Sequence, residues 1–192
     1  MKKTYLNTLC VVFLLTNFIS CKAQQVLPLN TFIDNIPANA YVKDLNNELN
    51  PYIGIYKSTY QGKDITLYIT KMENKLEESA HKNYYLDALI IKYTIKNSSG
   101  LILQDTQNGN FLKNTISSFR IRSYDNTVIL GYEGTNCGVG WGSIFLKKIN
   151  PTQISWLYKP NDLTILPGQC PGNPDLTIYL PETENPLIFT KQ

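Results

Sequence analysis

The sequence predicts an all-β domain: an antiparallel up-and-down meander of about eight to ten short strands that close into a complete or partly open barrel, with a β-sandwich as the alternative. Three observations carry this. Apolar residues recur with period two, as in Ile65, Leu67 and Ile69 against Thr66, Tyr68 and Thr70, and in Leu89, Ile91, Tyr93 and Ile95 against Ile90, Lys92, Thr94 and Lys96. A pleated strand turns successive side chains to opposite faces, so this is the pattern of half-buried strands. Tight-turn residues separate the runs, and stretches of helical period are nearly lacking. A meander of that many strands must hide its two edges, and closure removes both.

In chain order, Tyr52 to Gln61 and Asp64 to Met72 are joined by Gly62-Lys63, and a strand through Leu89 to Ile95 ends at Asn97-Ser98-Ser99-Gly100. Leu101 to Gln104 follows. Arg120 to Tyr124 and Thr127 to Tyr132 flank Asp125-Asn126, and Gly142 to Ile149 and Gln153 to Tyr158 flank Asn150-Pro151-Thr152. Asp175 to Leu180 and Leu187 to Thr190 complete the strands. Asp44 is placed to cap a short helical turn that Pro51 ends, and Glu73 to Asn83 has room for a turn through Leu76, Glu77 and Ala80. The span 44–192 suits one β domain.

The N-terminus carries an address. Lys2 and Lys3 precede an apolar run from Leu9 to Phe13 and on to Ile19, a secretory signal peptide over residues 1–20 that is too short to span a bilayer. Phe18-Ile19-Ser20-Cys21 resembles a bacterial lipobox, with Phe18 and Ile19 where that pattern has leucine and a small residue. The resemblance implies cleavage before Cys21, acylation of its sulfur and membrane anchoring; ordinary cleavage after Ala23 is the competing expectation. Two or more acyl chains anchor stably where one does not. Lys22 is not the aspartate that retains some lipoproteins at the inner membrane, so the resemblance implies the outer membrane of a Gram-negative envelope. Residues 21–43, with Pro28, Pro37 and several Asn and Gln, form the lipidated N-terminus and a tether with room to pack in part on the domain.

Export reshapes charge and cysteine usage. Losing Lys2 and Lys3 from 18 basic side chains leaves 16 against 15 acidic ones, which points away from a nucleic-acid surface. Cys10 leaves with the signal and Cys21 is acylated, so Cys137 and Cys170 remain as a pair, and in an oxidising compartment such a pair is a disulfide.

Gly54-Ile55-Tyr56 resembles the Gly-x-Trp opening of lipocalin-type barrels, with Tyr for Trp. The arginine that partners the Trp from the last strand has no counterpart except Lys191. From the lipobox to the final Leu187-Ile188-Phe189-Thr190, the chain is similar to small exported lipoproteins of Gram-negative bacteria catalogued as a domain of unknown function. The segments Asp44-Leu45-Asn46-Asn47-Glu48-Leu49-Asn50-Pro51 and Tyr84-Tyr85-Leu86-Asp87 carry that likeness. It implies the fold and the address, and it brings no activity.

Candidate chemistry is sparse. Gly138-Val139-Gly140-Trp141-Gly142 lacks the Lys-Ser or Lys-Thr and the helix of a phosphate loop, and a strand follows it. It reads instead as an inter-strand loop whose glycines let Trp141 and the Cys137 bridge pack closely. His81 is the single histidine, which argues against a triad or a multi-histidine metal site. Ser117-Ser118 has no nucleophile elbow. Arg120 and Arg122 share a strand face and suit a carboxylate or phosphate clamp, or a solvated face. Asp87 lies on the face of Leu89 and Ile91, where burial would demand a partner. Among thirteen tyrosines and two tryptophans, Tyr56, Tyr93, Trp141 and Trp156 are the aromatic contacts for an apolar or sugar ligand, or else core. The expectation is a lipid-anchored, non-catalytic binding module for a small amphipathic ligand or an envelope component, with no cofactor and no metal. Its alternative is an interaction protein with a filled barrel.

Overall fold

The period-two alternation becomes the inside and outside of a barrel. The computed structural model describes residues 23–78, 81–108, 115–166 and 168–192; the span 1–20 read as a signal peptide, and Cys21, lie outside them. Eleven strands form among the described residues: β1 (Val26–Pro28), β2 (Tyr41–Lys43), β3 (Gly54–Tyr60), β4 (Lys63–Glu78), β5 (Asn83–Lys96), β6 (Ile102–Asp105), β7 (Ile116–Arg122), β8 (Thr127–Tyr132), β9 (Gly142–Asn150), β10 (Gln153–Pro160) and β11 (Leu187–Lys191). Only three short 3-10 turns accompany them there.

Eight of these strands make the barrel. β3, β4 and β5 pair antiparallel in succession, as do β7, β8, β9, β10 and β11. Two seams close the circle: β11 meets β3 with Thr190 opposite Lys57, and β5 meets β7 with Ile90 opposite Ser117 and Ile91 opposite Ile116. The meander is therefore a closed barrel and not a sandwich. The three remaining strands are additions. β2 pairs in parallel with the start of β5, β1 extends it, and β6 covers the end of β5.

The interior is filled with side chains. Tyr56, Leu67, Tyr93, Leu146, Trp156, Tyr158 and Phe189 are all 0–1% exposed. Trp156 packs against Phe189 at 5.9 Å between ring centres. Tyr132 takes an edge-to-face contact from Tyr93 on one side and Tyr158 on the other, at 6.4 and 5.8 Å. Such rings combine a large apolar burial with about 0.5 to 1.5 kcal/mol per pair of preferred geometry. Ile154, Trp156 and Tyr158 share the inner face of β10, as the alternation requires.

Three stretches differ from the sequence expectation, and a fourth goes beyond it. The segment read as a partly packed tether lies on the barrel from Val26 onward, with Leu29, Ile36, Ala40 and Val42 buried, because β5 offers its edge to β2. Asp44 to Leu49 is not helical: the Asp44 carboxylate accepts the Glu48 and Leu49 amide protons at 2.6 and 3.2 Å, and the 3-10 turn Asn50–Tyr52 follows with Pro51 inside it. Proline is tolerated there because a first-turn N–H has no helical partner to lose. Leu76 and Glu77 belong to β4, where Leu76 pairs with Tyr85; a ladder along β5 outweighs a single costly helical turn. Ala80 lies outside the described residues. Leu176, Ile178 and Leu180 alternate as a strand would, yet Asp175 to Leu180 pairs with nothing, and β9, β10 and β11 beside it already have partners on both sides.

That last segment is instead pinned by Cys137–Cys170, whose Cα atoms are 5.8 Å apart across 33 residues of sequence. Asn136 donates to the Asp175 carbonyl at 2.7 Å beside it. Replacing both Cys137 and Cys170 by serine is expected to cost about 3 to 4 kcal/mol from the chain-entropy gain of the unfolded state. Urea unfolding of the oxidised protein and of the double variant measures this as a lower midpoint with a steeper slope, because the uncross-linked denatured chain exposes more surface.

Candidate functional site

Antiparallel succession gives the barrel two different ends. The connections 61–62, 97–101, 133–141 and 161–186 gather at one, here the loop end. The other, the closed end, carries the 3-10 turn Asn50–Tyr52 and the turns 123–126 and 151–152.

Tyr52 closes that end. Its ring is buried, its hydroxyl donates to the Asn126 carbonyl at 3.0 Å, and it accepts the Lys148 amide proton at 3.3 Å. Beside it Lys148 Nζ bonds the carbonyls of Pro51 and Pro151 at 3.0 and 3.1 Å and the Tyr56 hydroxyl at 3.3 Å. Lys191 Nζ stands 5.8 Å from the Tyr56 ring centre. Lys191 on the last strand thus meets the aromatic residue of Gly54-Ile55-Tyr56, and no arginine stands there. Gly54 leaves the room: at φ +145° a Cβ here would sit 2.6 Å from Lys191 Cε. Burial, with Lys191 nearby, pulls the Lys148 ammonium below its usual range.

The residues singled out as ligand contacts do not converge. Tyr56, Tyr93 and Trp156 are sealed in the core at 0, 0 and 1% exposure, so no ligand reaches them in the closed barrel. Arg120 and Arg122 do share the outer face of β7, but they are engaged apart. Arg122 forks onto Asp125 at 3.1 and 2.7 Å and reaches Thr127 at 3.0 Å, while the Arg120 guanidinium carbon lies 3.9 Å from the Phe32 ring centre. A clamp for one anion is not formed.

Trp141 is the exception, 46% exposed at the loop end. It lines an open cleft of about 480 Å³ together with Phe119, Glu133, Asn161 and Leu163. The glycine-rich loop shapes this cleft. Gly140 takes φ +75°, and the buried Tyr158 hydroxyl donates to its carbonyl. Gly142 brings the loop back against the Lys159–Pro160 backbone, where a Cβ would collide with the Lys159 carbonyl. Below lies the Tyr93–Tyr132 hydroxyl pair at 3.0 Å, and burial pushes both phenols up. Phe119 and Leu163 are absent from the sequence reading. Phe119 comes outward beside a register shift between Ser118 and Arg120, and no sequence signal locates such a bulge.

A second groove, about 780 Å³, runs outside the barrel wall across β11, β3, β4, β5 and β6. It is mostly polar. Lys57, Lys96, Thr66 and Tyr68 face it with Ile102 and Ile188.

Asp87 is buried at 1% exposure and fully engaged. Its carboxylate accepts the Tyr41 hydroxyl, the Asn74 amide at 3.0 Å and the Asp44 amide at 2.9 Å. The Asp44 carboxylate in turn meets Lys71 at 2.8 Å. Burial alone would raise Asp87, but Tyr41, the two amides and Lys71 outweigh it and hold the carboxyl below its usual range. Burial and the Asp87 bond push the Tyr41 phenol up to about 12. The group ties β2 to β5 and to the bulge at Asn74, which takes φ +53°. His81 is exposed near this end, and Glu77, read as its helical neighbour, is on β4 paired with Lys75. No trio of His, Cys, Asp or Glu poised for a metal occurs among the described residues.

These features define a closed, side-chain-filled eight-stranded meander barrel with its clefts on the loops and outer wall. The chain belongs to a family of unknown function, DUF6705, matched over residues 1–192. No curated protein and no solved structure matches it.

Asp87→Asn keeps the size and reverses one donor against the Asp44 or Asn74 amide, so it is expected to cost about 2 to 4 kcal/mol at neutral pH. The sign follows from a folded value lower than the unfolded one: the contribution is whole above about pH 4 and disappears as pH falls through the folded value. Urea midpoints across pH 7 to 3 should therefore fall less steeply for Asp87→Asn than for the wild type.

Proposed function

We propose that this protein is an exported, lipid-anchored, non-catalytic binding module, held to the outer membrane through acylated Cys21, that engages an envelope component at its loop end. The observation that carries the site is the contrast between the two kinds of aromatic residue. The lumen is occupied by Tyr56, Tyr93, Trp156 and Tyr158, whereas Trp141, Phe119 and Leu163 stand 43–46% exposed around one cleft. A half-exposed tryptophan beside Glu133 and Asn161 offers an apolar plate with polar groups at its rim, the composition of a recognition site. The polar residues of a kind used in catalysis are held in structural roles, Asp87 by three donors and Arg122 by Asp125. A filled lumen favours binding from outside over enclosure of a small amphipathic ligand.

A photo-cross-linking residue in place of Trp141, in living cells, is expected to give a discrete adduct with an envelope component. The same residue in place of Tyr124, 78% exposed at the closed end, should give none of that mass. No adduct at position 141 above the Tyr124 control would sink the loop-end site. For the anchor, Cys21→Ser should move the protein from the membrane pellet to the wash fraction.

A further inference from the structure

We infer that the closed-end flank formed by Phe32, Ile33, Lys82 and Arg120 is a lipid-facing surface that seats the barrel directly on the bilayer; this rests on the proposed acylation of Cys21. Chain length carries the argument. The domain begins well before residue 44: the Gln24 side chain donates to the Asn39 carbonyl at 2.9 Å, and the Gln25 carbonyl accepts the Tyr41 amide at 2.8 Å. Only Lys22 and Ala23 separate Cys21 from Gln24. Three residue steps reach at most about 11 Å when fully extended. A chain acylated at Cys21 therefore cannot stand off from the membrane, and whatever surrounds Gln24 must meet headgroups.

What surrounds it suits that contact. The Asn39 amide bonds the Asn83 carbonyl at 2.8 Å, which places Gln24, the start of β5 and the neighbouring Lys82 together. Lys82 Nζ bonds the Ile33 carbonyl, and Arg120 stacks on Phe32. Phe32 and Ile33, at the cap and first residue of a short 3-10 turn, are adjacent large apolar residues exposed to 58 and 52%. Two apolar side chains backed by two cations match the layering of an anionic interface, with the acyl boundary innermost and phosphates above it. Asp34 is the next residue along, and its carboxylate must stay among the headgroups, so penetration is shallow.

The test uses the full acylated chain carrying Phe32→Trp, or Leu101→Trp as a control at the opposite end. Both positions are more than half exposed, so neither indole disturbs the core. Each is reconstituted into phosphatidylethanolamine–phosphatidylglycerol vesicles with bromine-labelled acyl chains, after its mass has established acylation. Beyond the background of Trp141 and Trp156, the Phe32→Trp indole should be quenched about threefold more than the control and emit to the blue of it. Equal or absent quenching with the acyl mass intact overturns the lipid-facing surface and leaves the anchor standing. A blue shift that appears without quenching and grows with protein concentration assigns the patch to a second copy and overturns it too. A mature chain lacking the acyl mass overturns the anchor and this surface with it.

Discussion

The structure depends on how one strand satisfies its second edge. β5 is fourteen residues long, and β4 covers one side of it along nearly its whole length. Every backbone N–H and C=O on the other side must also find a partner, because most of the strand is buried on both faces. No single strand does this. β2 takes Tyr85 and Leu86, β7 takes Ile90 and Ile91, and β6 takes Thr94 to Lys96. The seam with β7 closes the barrel, the one with β2 draws the N-terminal segment into the fold, and the one with β6 walls the outer groove. Asp87 lies between the first two seams, and its three accepted bonds fasten β2 to the bulge of β4 at the level where β7 leaves off.

This sharing also explains which parts of the fold were legible in the sequence. Alternation located the first half of β4, and the turn residues between runs located β3 and β8 to β11. β5 announced itself at Leu89 to Ile95, where Lys92, Thr94 and Lys96 give the second face a polar character. Leu86 to Ile91 are buried on both faces, and a doubly buried run without such alternating polar residues has no period to read. The N-terminal strands are three residues each, below the length at which any pattern is distinguishable, and parallel pairing at long range leaves no local turn signal. Asp175 to Leu180 misled for the converse reason: its pattern is genuine, but β9, β10 and β11 are already paired on both sides and leave it no ladder.

Site residues were legible by the same logic. Aromatic type identifies residues that matter to packing or recognition and does not say which. Tyr56, Tyr93 and Trp156 alternate in phase with the lumen and are core, whereas Trp141 sits in a glycine-rich loop outside any alternation and is exposed. Phase within a strand was thus the usable discriminator. The Cys137–Cys170 bridge could be proposed from compartment and count, and the structure bears it out. The cleft walls contributed by Phe119 and Leu163 depend on a bulge and on a long irregular segment, neither of which has a local signature.

The two ends of the barrel are held in different ways. At the closed end Tyr52, Tyr56, Lys148 and Lys191 interlock side chains with carbonyls from three separate turns, leaving little freedom there. At the loop end a disulfide and the Tyr158 bond to Gly140 hold the backbone while leaving Trp141 and its neighbours half bare. Exposed apolar side chains cost solubility, and a fold retains them most readily where the surrounding frame is rigid and the surface is used. The apolar pair at the N-terminal flank is a second such exposure, at the opposite pole. A solid barrel core thus lets apolar side chains stay bare at both ends, because the backbone that carries them is fixed from within and cannot collapse over them.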